Sequence, residues 1–275
     1  MSDIVAIVFD FDDTLAPDST SGYLADLGLD VGAFWDQANG RIEKEGWDPI
    51  PVYLYQMLEL SRRGINGKPL TRESFEEWGR KLPLHDGVVG FFERLREHLK
   101  SISPDTRLEF YLISSGIGEI LRTTPIASQF KDIFACEFAY DQGGAIVFPK
   151  NIVSFTEKTR FLFNISKGMI GEEARSRPDT VNRRVKPGDF RIPFHNMIFV
   201  GDGYTDIPCF ALVRRYEGIA FAVFDPNKQQ KWERAWGFIE DQRVTNLLPA
   251  DYKPGSALEI QLKMAMGSIV KRNQG

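Results

Sequence analysis

The chain has 275 residues, 43% of them apolar and 26% charged, with a formal net charge of −4. A chain of this length buries a core that needs no disulfide or metal staple, and its two cysteines, Cys136 and Cys209, make no disulfide framework. The acidic balance argues against nucleic acid or an anionic membrane surface as partner, and no stretch reaches the roughly 18 consecutive apolar residues of a membrane span.

The apolar start is too short for a secretory leader and runs directly into acids, so a cytoplasmic protein is expected. Ile4–Phe9 is a continuous, mostly β-branched run, the pattern of a strand buried on both faces. It ends in Asp10-Phe11-Asp12-Asp13-Thr14-Leu15. Asp10 and Asp12 are two residues apart, so on an extended chain their side chains point the same way. Their repulsion calls for a shared proton or a cation, and the natural hard cation beside phosphate is Mg²⁺. Residues 16–84 are helical in pattern and aromatic-rich (Phe34, Trp35, Trp47, Tyr53, Tyr55, Phe75, Trp78), which predicts a helical insertion.

Val88, Phe91, Phe92, Leu95 and Leu99 share one helical face. The next strand, Leu108–Ile113, leads into Ser114-Ser115-Gly116, a hydroxyl and a small-residue turn where backbone N–H groups can meet an anion. A hairpin is expected over Phe138–Phe148, around Asp141-Gln142-Gly143-Gly144. Ser154-Phe155-Thr156-Glu157 reads as a capping box, which puts Lys158 in the first turn of a helix, where a cation opposes the dipole and wants an anionic partner. Gly171–Pro193 reads as a long surface loop or an ordered excursion, with the basic residues of Arg175 to Arg184 meeting solvent or an acidic partner. Met197–Val200 is a strand ending in Gly201-Asp202-Gly203-Tyr204-Thr205-Asp206, whose glycines admit a sharp turn close to an ion or ligand. Ile219–Phe224 is a further strand, and Ser256-Ala257-Leu258-Glu259 caps a closing helix. Strands alternating with helices predict an α/β sheet. Taken singly, each polar cluster has an ordinary structural reading as a strand cap, a turn or a solvated lysine. His85, His98 and His195 have no metal-ligand spacing and read as structural.

In this order, the four clusters resemble the motifs of the haloacid dehalogenase superfamily: Asp-x-Asp-x-Thr, a strand ending in Ser/Thr, a lysine before a helix, and Gly-Asp-x-x-x-Asp. The run from Lys158 to Gly168 and the Gly201–Asp206 loop look most like the phosphoserine phosphatase branch. The resemblance implies a Rossmann-like parallel sheet flanked by helices, with a core of residues 1–15 and 85–275. It implies that residues 16–84 form a C1 cap that closes over the site and selects the substrate. It further implies that Asp10 is the nucleophile of an aspartyl-phosphate intermediate and Asp12 the general acid/base. Mg²⁺ is then held by the Asp10 carboxylate, the Asp12 carbonyl and Asp202, with Asp206 in or beside the shell. Ser114 and Ser115 bind the phosphoryl group, Lys158 offsets its charge, and Thr14 supports the loop and the orientation of Asp12.

The expected activity is Mg²⁺-dependent hydrolysis of a small phosphorylated metabolite. Where phosphoserine phosphatases carry an acidic substrate-binding residue, this chain has Pro17-Asp18-Ser19-Thr20, with Asp18 near the position but not aligned to it. Asp12 counts against a dehalogenase. A phosphomutase of the same superfamily and a non-catalytic scaffold are the alternatives.

Overall fold

A computed structural model describes residues 4–186, 188–226 and 236–274, apart from the side chain of Glu173. Its centre is strand β1 (Ile4–Phe9), every residue of which is buried. Such a strand must have neighbours on both edges and layers on both faces. Strands β2 (Arg107–Ile117), β3 (Asp132–Tyr140), β4 (Ile146–Asn151), β5 (Met197–Gly201), β6 (Ile219–Phe224) and β7 (Asn246–Pro249) complete a seven-stranded sheet. The order is β4-β3-β2-β1-β5-β6-β7, and the pairs are parallel except β3 with β4. Sequence order therefore reverses at β1, which pairs with β2 on one side and β5 on the other. A crevice at the carboxyl ends of strands beside such a switch point is where open α/β sheets bind ligands.

Five helices lie between β1 and β2, and the first four are α1 (Ser19–Asp26), α2 (Val31–Glu45), α3 (Pro49–Arg63) and α4 (Arg72–Lys81). The chain leaves and returns at one place, since the His85 N–H donates to the Leu15 carbonyl at 3.0 Å. The segment is laced to the β3–β4 hairpin: Ile146 N–H donates to Leu70 O and Arg72 N–H to Gly144 O, both at 3.0 Å. Phe75 stacks on Phe138 at 6.0 Å. On the sheet, α5 (Val88–Ile102) buries the predicted stripe of Val88, Phe91, Phe92, Leu95 and Leu99. Next come α6 (Gly118–Thr123), α7 (Glu157–Lys167), α8 (Gly171–Ser176), α9 (Ile207–Arg215) and α10 (Ala257–Gln274).

Two expectations change and one is decided. Thr156, not Ser154, precedes α7 and makes no side-chain cap; Ser154 instead gives its carbonyl to the Lys158 N–H at 3.2 Å. The segment from Gly171 is the ordered excursion of its two expected forms, α8 followed by a 3-10 turn, Pro178–Asn182. Two of its cations pair within the chain, Arg175 with Asp132 at 2.5 Å and Arg191 with Glu109 at 2.6 Å. Finally, β2 does not stop at Ile113; it continues to Ile117 through a register irregularity that spans Ser114–Gly116.

Helix α4 approaches α6 closely because Gly79 has no side chain. A Cβ there would stand 2.0 Å from Thr123 Oγ1 and 2.3 Å from the Ile120 carbonyl oxygen. Gly79→Ala should therefore destabilise the protein by about 1–3 kcal/mol, as overpacking does. Gly40→Ala, on α2 with nothing within 4 Å, should be neutral or stabilising. Urea denaturation of both variants checks the contrast; equal effects would show that the α4–α6 contact is not tight.

Candidate active site

Asp10 follows the last residue of β1, and its N–H donates to the Val200 carbonyl of β5 at 2.9 Å. The nucleophile candidate is thus pinned to the switch point by backbone. Its side chain accepts from the Phe11 N–H at 2.8 Å. Beyond it the loop closes tightly: Thr14, Leu15 and Ala16 all donate to the Phe11 carbonyl, and Asp13 takes φ +55°. The Tyr252 hydroxyl clamps the loop from outside by donating to the Thr14 carbonyl at 2.7 Å.

At the end of β5, Gly201 lets Asp206 fold back onto the strand; a Cβ at Gly201 would lie 2.4 Å from Asp206 Oδ2. That oxygen accepts from the Gly203 N–H at 3.1 Å. Asp10, Asp202 and Asp206 each offer an oxygen, and the three lie within 4.8 Å of one another. Asp10 and Asp206 are buried, while Asp202 is partly exposed. The carboxylate of Asp12 stands outside this trio.

Lys158 enters from α7 with no exposed surface. Its Nζ lies 3.1 Å from Asp10 Oδ2 and 2.8 Å from Asp206 Oδ1, and donates to Thr205 Oγ1 at 3.0 Å. The unfavourable position of this cation at a helix start is thereby explained. Burial pushes the ammonium's pKa down, and the Asp10 and Asp206 charges outweigh it, so the group is held above the ordinary lysine value. Asp10 is raised well above the usual carboxylate range by burial first, then by Asp206, against the lowering influence of Lys158. Three carboxylates against one ammonium leave two negative charges unbalanced, and the donors are all oxygen. A hard divalent cation fits that set.

Asp12 is half-buried and accepts the Ser19 N–H at 2.7 Å. Burial and the Asp18 charge push its carboxyl up to about 7, against hydrogen bonding from Ser19 that lowers it. Asp12 Oδ2, Ser114 Oγ and Ser19 Oγ converge on Gly116: a Cβ there would be 2.9, 3.2 and 3.4 Å from them. Only glycine leaves that hollow open. Ser114 Oγ accepts from the Gly116 N–H at 2.9 Å, which leaves its own proton for a ligand. The hydroxyls of Ser115 and Thr14 are buried and find no hydrogen-bond partner among the described residues. Orphaned buried donors in the two loops that carry Ser114 and Asp12 call for an oxygen-rich ligand. The Ser115 carbonyl accepts from the Tyr53 hydroxyl at 2.6 Å, which brings α3 to the site.

The site thus gathers Asp10, Asp202, Asp206 and Lys158, with Asp12 and Ser114 around the adjoining hollow. The Thr14 backbone closes the loop through the Phe11 carbonyl and the Tyr252 hydroxyl, and the Ser19 amide holds Asp12 Oδ1. Ser19, Tyr53, Trp78, Gly116 and Tyr252 were not singled out as site residues. A signal existed only for Ser19, since Asp18-Ser19-Thr20 has the composition of a helix start; Asp18 caps α1 by accepting from the Ser21 N–H at 2.6 Å.

Replacing Lys158 by Met should leave Asp10 and Asp206 facing each other without a counter-charge. Breaking a buried ion pair in this way costs about 3–5 kcal/mol. Urea denaturation without divalent cations should read that loss; a change below about 1 kcal/mol would show that the cluster does not depend on the ammonium.

No family model matches the sequence. An uncharacterized protein of Borreliella burgdorferi is 26% identical over 280 residues, spanning 93% of this chain and 94% of its own. A HAD family hydrolase from Salmonella enterica serovar Typhi aligns with 96% of this chain and 71% of its own, at 12% identity and a TM-score of 0.61. A substrate-bound phosphoserine phosphatase aligns over 94% and 97%, at 14% identity and a TM-score of 0.55. At such identities the likeness speaks for architecture, and it agrees with the α/β sheet and its switch point: the chain has the Rossmann-like fold of the HAD family hydrolases and phosphoserine phosphatases.

Proposed function

We propose that the protein is a phosphomonoester hydrolase of small phosphorylated metabolites, acting through a covalent aspartyl-phosphate on Asp10. The observation that carries this is the position of Lys158 between Asp10 and Asp206, together with the hollow at Gly116 that Asp12 Oδ2 and the Ser114 hydroxyl face. A carboxylate can approach a phosphate dianion only where several positive charges are gathered. Bound Mg²⁺, held by Asp10, Asp202, Asp206 and the Asp12 carbonyl, would supply charge neutralisation for the transferring phosphoryl group.

The side chains then divide the work. Asp10 attacks phosphorus as the ester bond breaks, and the bonding pair leaves with the substrate oxygen. Asp12 delivers its proton to that oxygen and afterwards takes one from the water that releases phosphate. A carboxyl pushed up to about 7 is populated in both forms near neutrality, as those two steps need. Ser114 and Ser115 hold phosphoryl oxygens through their hydroxyls, and Lys158 favours the ionised form of Asp10 while countering charge built up in the transition state. Residues 16–84 act as a cap over the carboxyl ends of the strands, with Tyr53 and Trp78 reaching the site from it.

Hydrolysis of 4-nitrophenyl phosphate with Mg²⁺ tests this directly. Asp10→Asn should abolish turnover, and Asp12→Asn should lower it by roughly 10²–10⁴-fold. Full activity in Asp10→Asn would refute the nucleophile. Cation binding has its own readout: MgCl₂ at about 100 times its dissociation constant should stabilise the protein by about 2.7 kcal/mol, seen as a rise in Tm. That rise should disappear in Asp202→Asn; its persistence would move the cation elsewhere.

A further inference from the structure

We propose that Trp78 and Ser19 are positioning residues for Asp12: the α4 indole fixes the first turn of α1, and that turn fixes the carboxyl. The proposal rests on Asp12 being the acid/base described above.

The two oxygens of Asp12 have different surroundings. Oδ1 accepts the Ser19 N–H at 2.7 Å. Oδ2 stands over Gly116, 2.9 Å from where a Cβ would be, beside Ser114 Oγ and Ser19 Oγ. One oxygen is therefore anchored and the other faces the hollow where a phosphoryl group and its leaving oxygen would sit. Whatever sets the direction of the Ser19 N–H sets the direction of Oδ2.

Trp78 sets it. Its Nε1–H donates to the Ser19 carbonyl at 3.0 Å. Its ring lies flush on α1 because Gly22 is a glycine; a Cβ at Gly22 would come within 2.5 Å of Trp78 Cζ2. Asp18 caps the same turn through the Ser21 N–H. The next residue after Trp78 is Gly79, which locks α4 to Ile120 and Thr123 of α6. Helix α6 begins at Gly118, immediately after β2, the strand that carries Ser114 and Gly116. The contacts close a ring: β2, α6, α4, Trp78, Ser19, Asp12, and back over Gly116. Asp12 is thus held by reference to the same strand that presents the Ser114 hydroxyl, and the two move as one body.

This assigns a role to a tryptophan that otherwise reads as packing, and it separates two roles for Ser19. As the first residue of α1, Ser19 needs its N–H for no bond within the helix. Proline is tolerated at that position, and Asp18, at φ −50° and ψ 112°, already has the extended backbone that a following proline prefers. Ser19→Pro therefore removes the donor to Asp12 while sparing the helix. Ser19→Ala removes only the hydroxyl and keeps the donor. Trp78→Phe keeps a ring over Gly22 and removes the indole N–H.

The test compares kcat/KM, which reads the reaction up to leaving-group departure, on an aryl phosphate and a simple alkyl phosphate. Nitrophenolate leaves without a proton, whereas an alkoxide needs the one from Asp12. Trp78→Phe and Ser19→Pro should lose roughly 10–100-fold more on the alkyl ester than on the aryl ester. Ser19→Ala, which keeps the N–H donor to Oδ1, should show a smaller selective loss than Ser19→Pro. Asp12→Asn is the reference and should show the largest selective loss. Equal losses on both esters in Trp78→Phe and Ser19→Pro would mean a merely structural role and overturn the proposal. If Asp12→Asn itself shows no selectivity, the acid/base reading of Asp12 fails first, and the two failures are told apart. Should Ser19→Pro not fold, Trp78→Phe decides alone.

Discussion

The arrangement depends on one buried ammonium. Lys158 stands between Asp10 and Asp206 with no access to water, and without it two carboxylates from different strands would repel across a low-dielectric gap. Its presence allows β1 and β5 to end side by side in acids. It does not neutralise the cluster, because Asp202 adds a third carboxylate. The electrostatic deficit that remains is a property of the site as built, and it makes the pocket selective for what can enter. An anion needs a cation with it.

Around this fixed centre helices α1 to α4 are tied to the ends of the strands. The first turn of α1 bonds to Asp12, Trp78 bonds to that turn, and Tyr53 bonds to the Ser115 carbonyl. Close packing at Gly79 and Gly22 leaves no slack between α1, α4 and α6. Helices α2 and α3 have a different character: apart from Tyr53, their aromatic contacts, such as Phe34 with Trp35 at 5.1 Å and Trp47 with Tyr55 at 5.1 Å, lie within the segment itself.

Much of the fold could be read from the chain because its signals are local. Ile4–Phe9 and Met197–Val200 are runs that only a central strand explains, and the stripe from Val88 to Leu99 has a single helical solution. The acids at Asp10, Asp12, Asp202 and Asp206 stand out because they interrupt such runs. Lys158 could be singled out by its conflict with the helix dipole, although its partners lie far off in sequence. What escaped notice was non-local. Trp78 has the spacing of a core aromatic, and no pattern announces that its indole N–H meets the Ser19 carbonyl. Gly116 reads as an ordinary turn glycine until the three oxygens around it are seen. The cap of α7 was misplaced by two residues, because a Ser-x-x-Glu pattern says nothing of which carbonyl the first turn will need. The segment after Gly171 shows charges and no period, so the pairing of Arg175 with Asp132 and of Arg191 with Glu109 could not be read from it.

The hydrogen bond from Tyr252 to the Thr14 carbonyl has a consequence for how the protein folds. The acidic loop lies in the chain well ahead of the strand that pins Asp10, the lysine that balances it and the tyrosine that clamps it. Strand β1 can pair with β2 first, but it takes its place at the centre of the sheet only when β5 lies on its other side. Contacts of such long sequence separation form slowly. The acidic loop is therefore completed only after segments far downstream of it have folded around it.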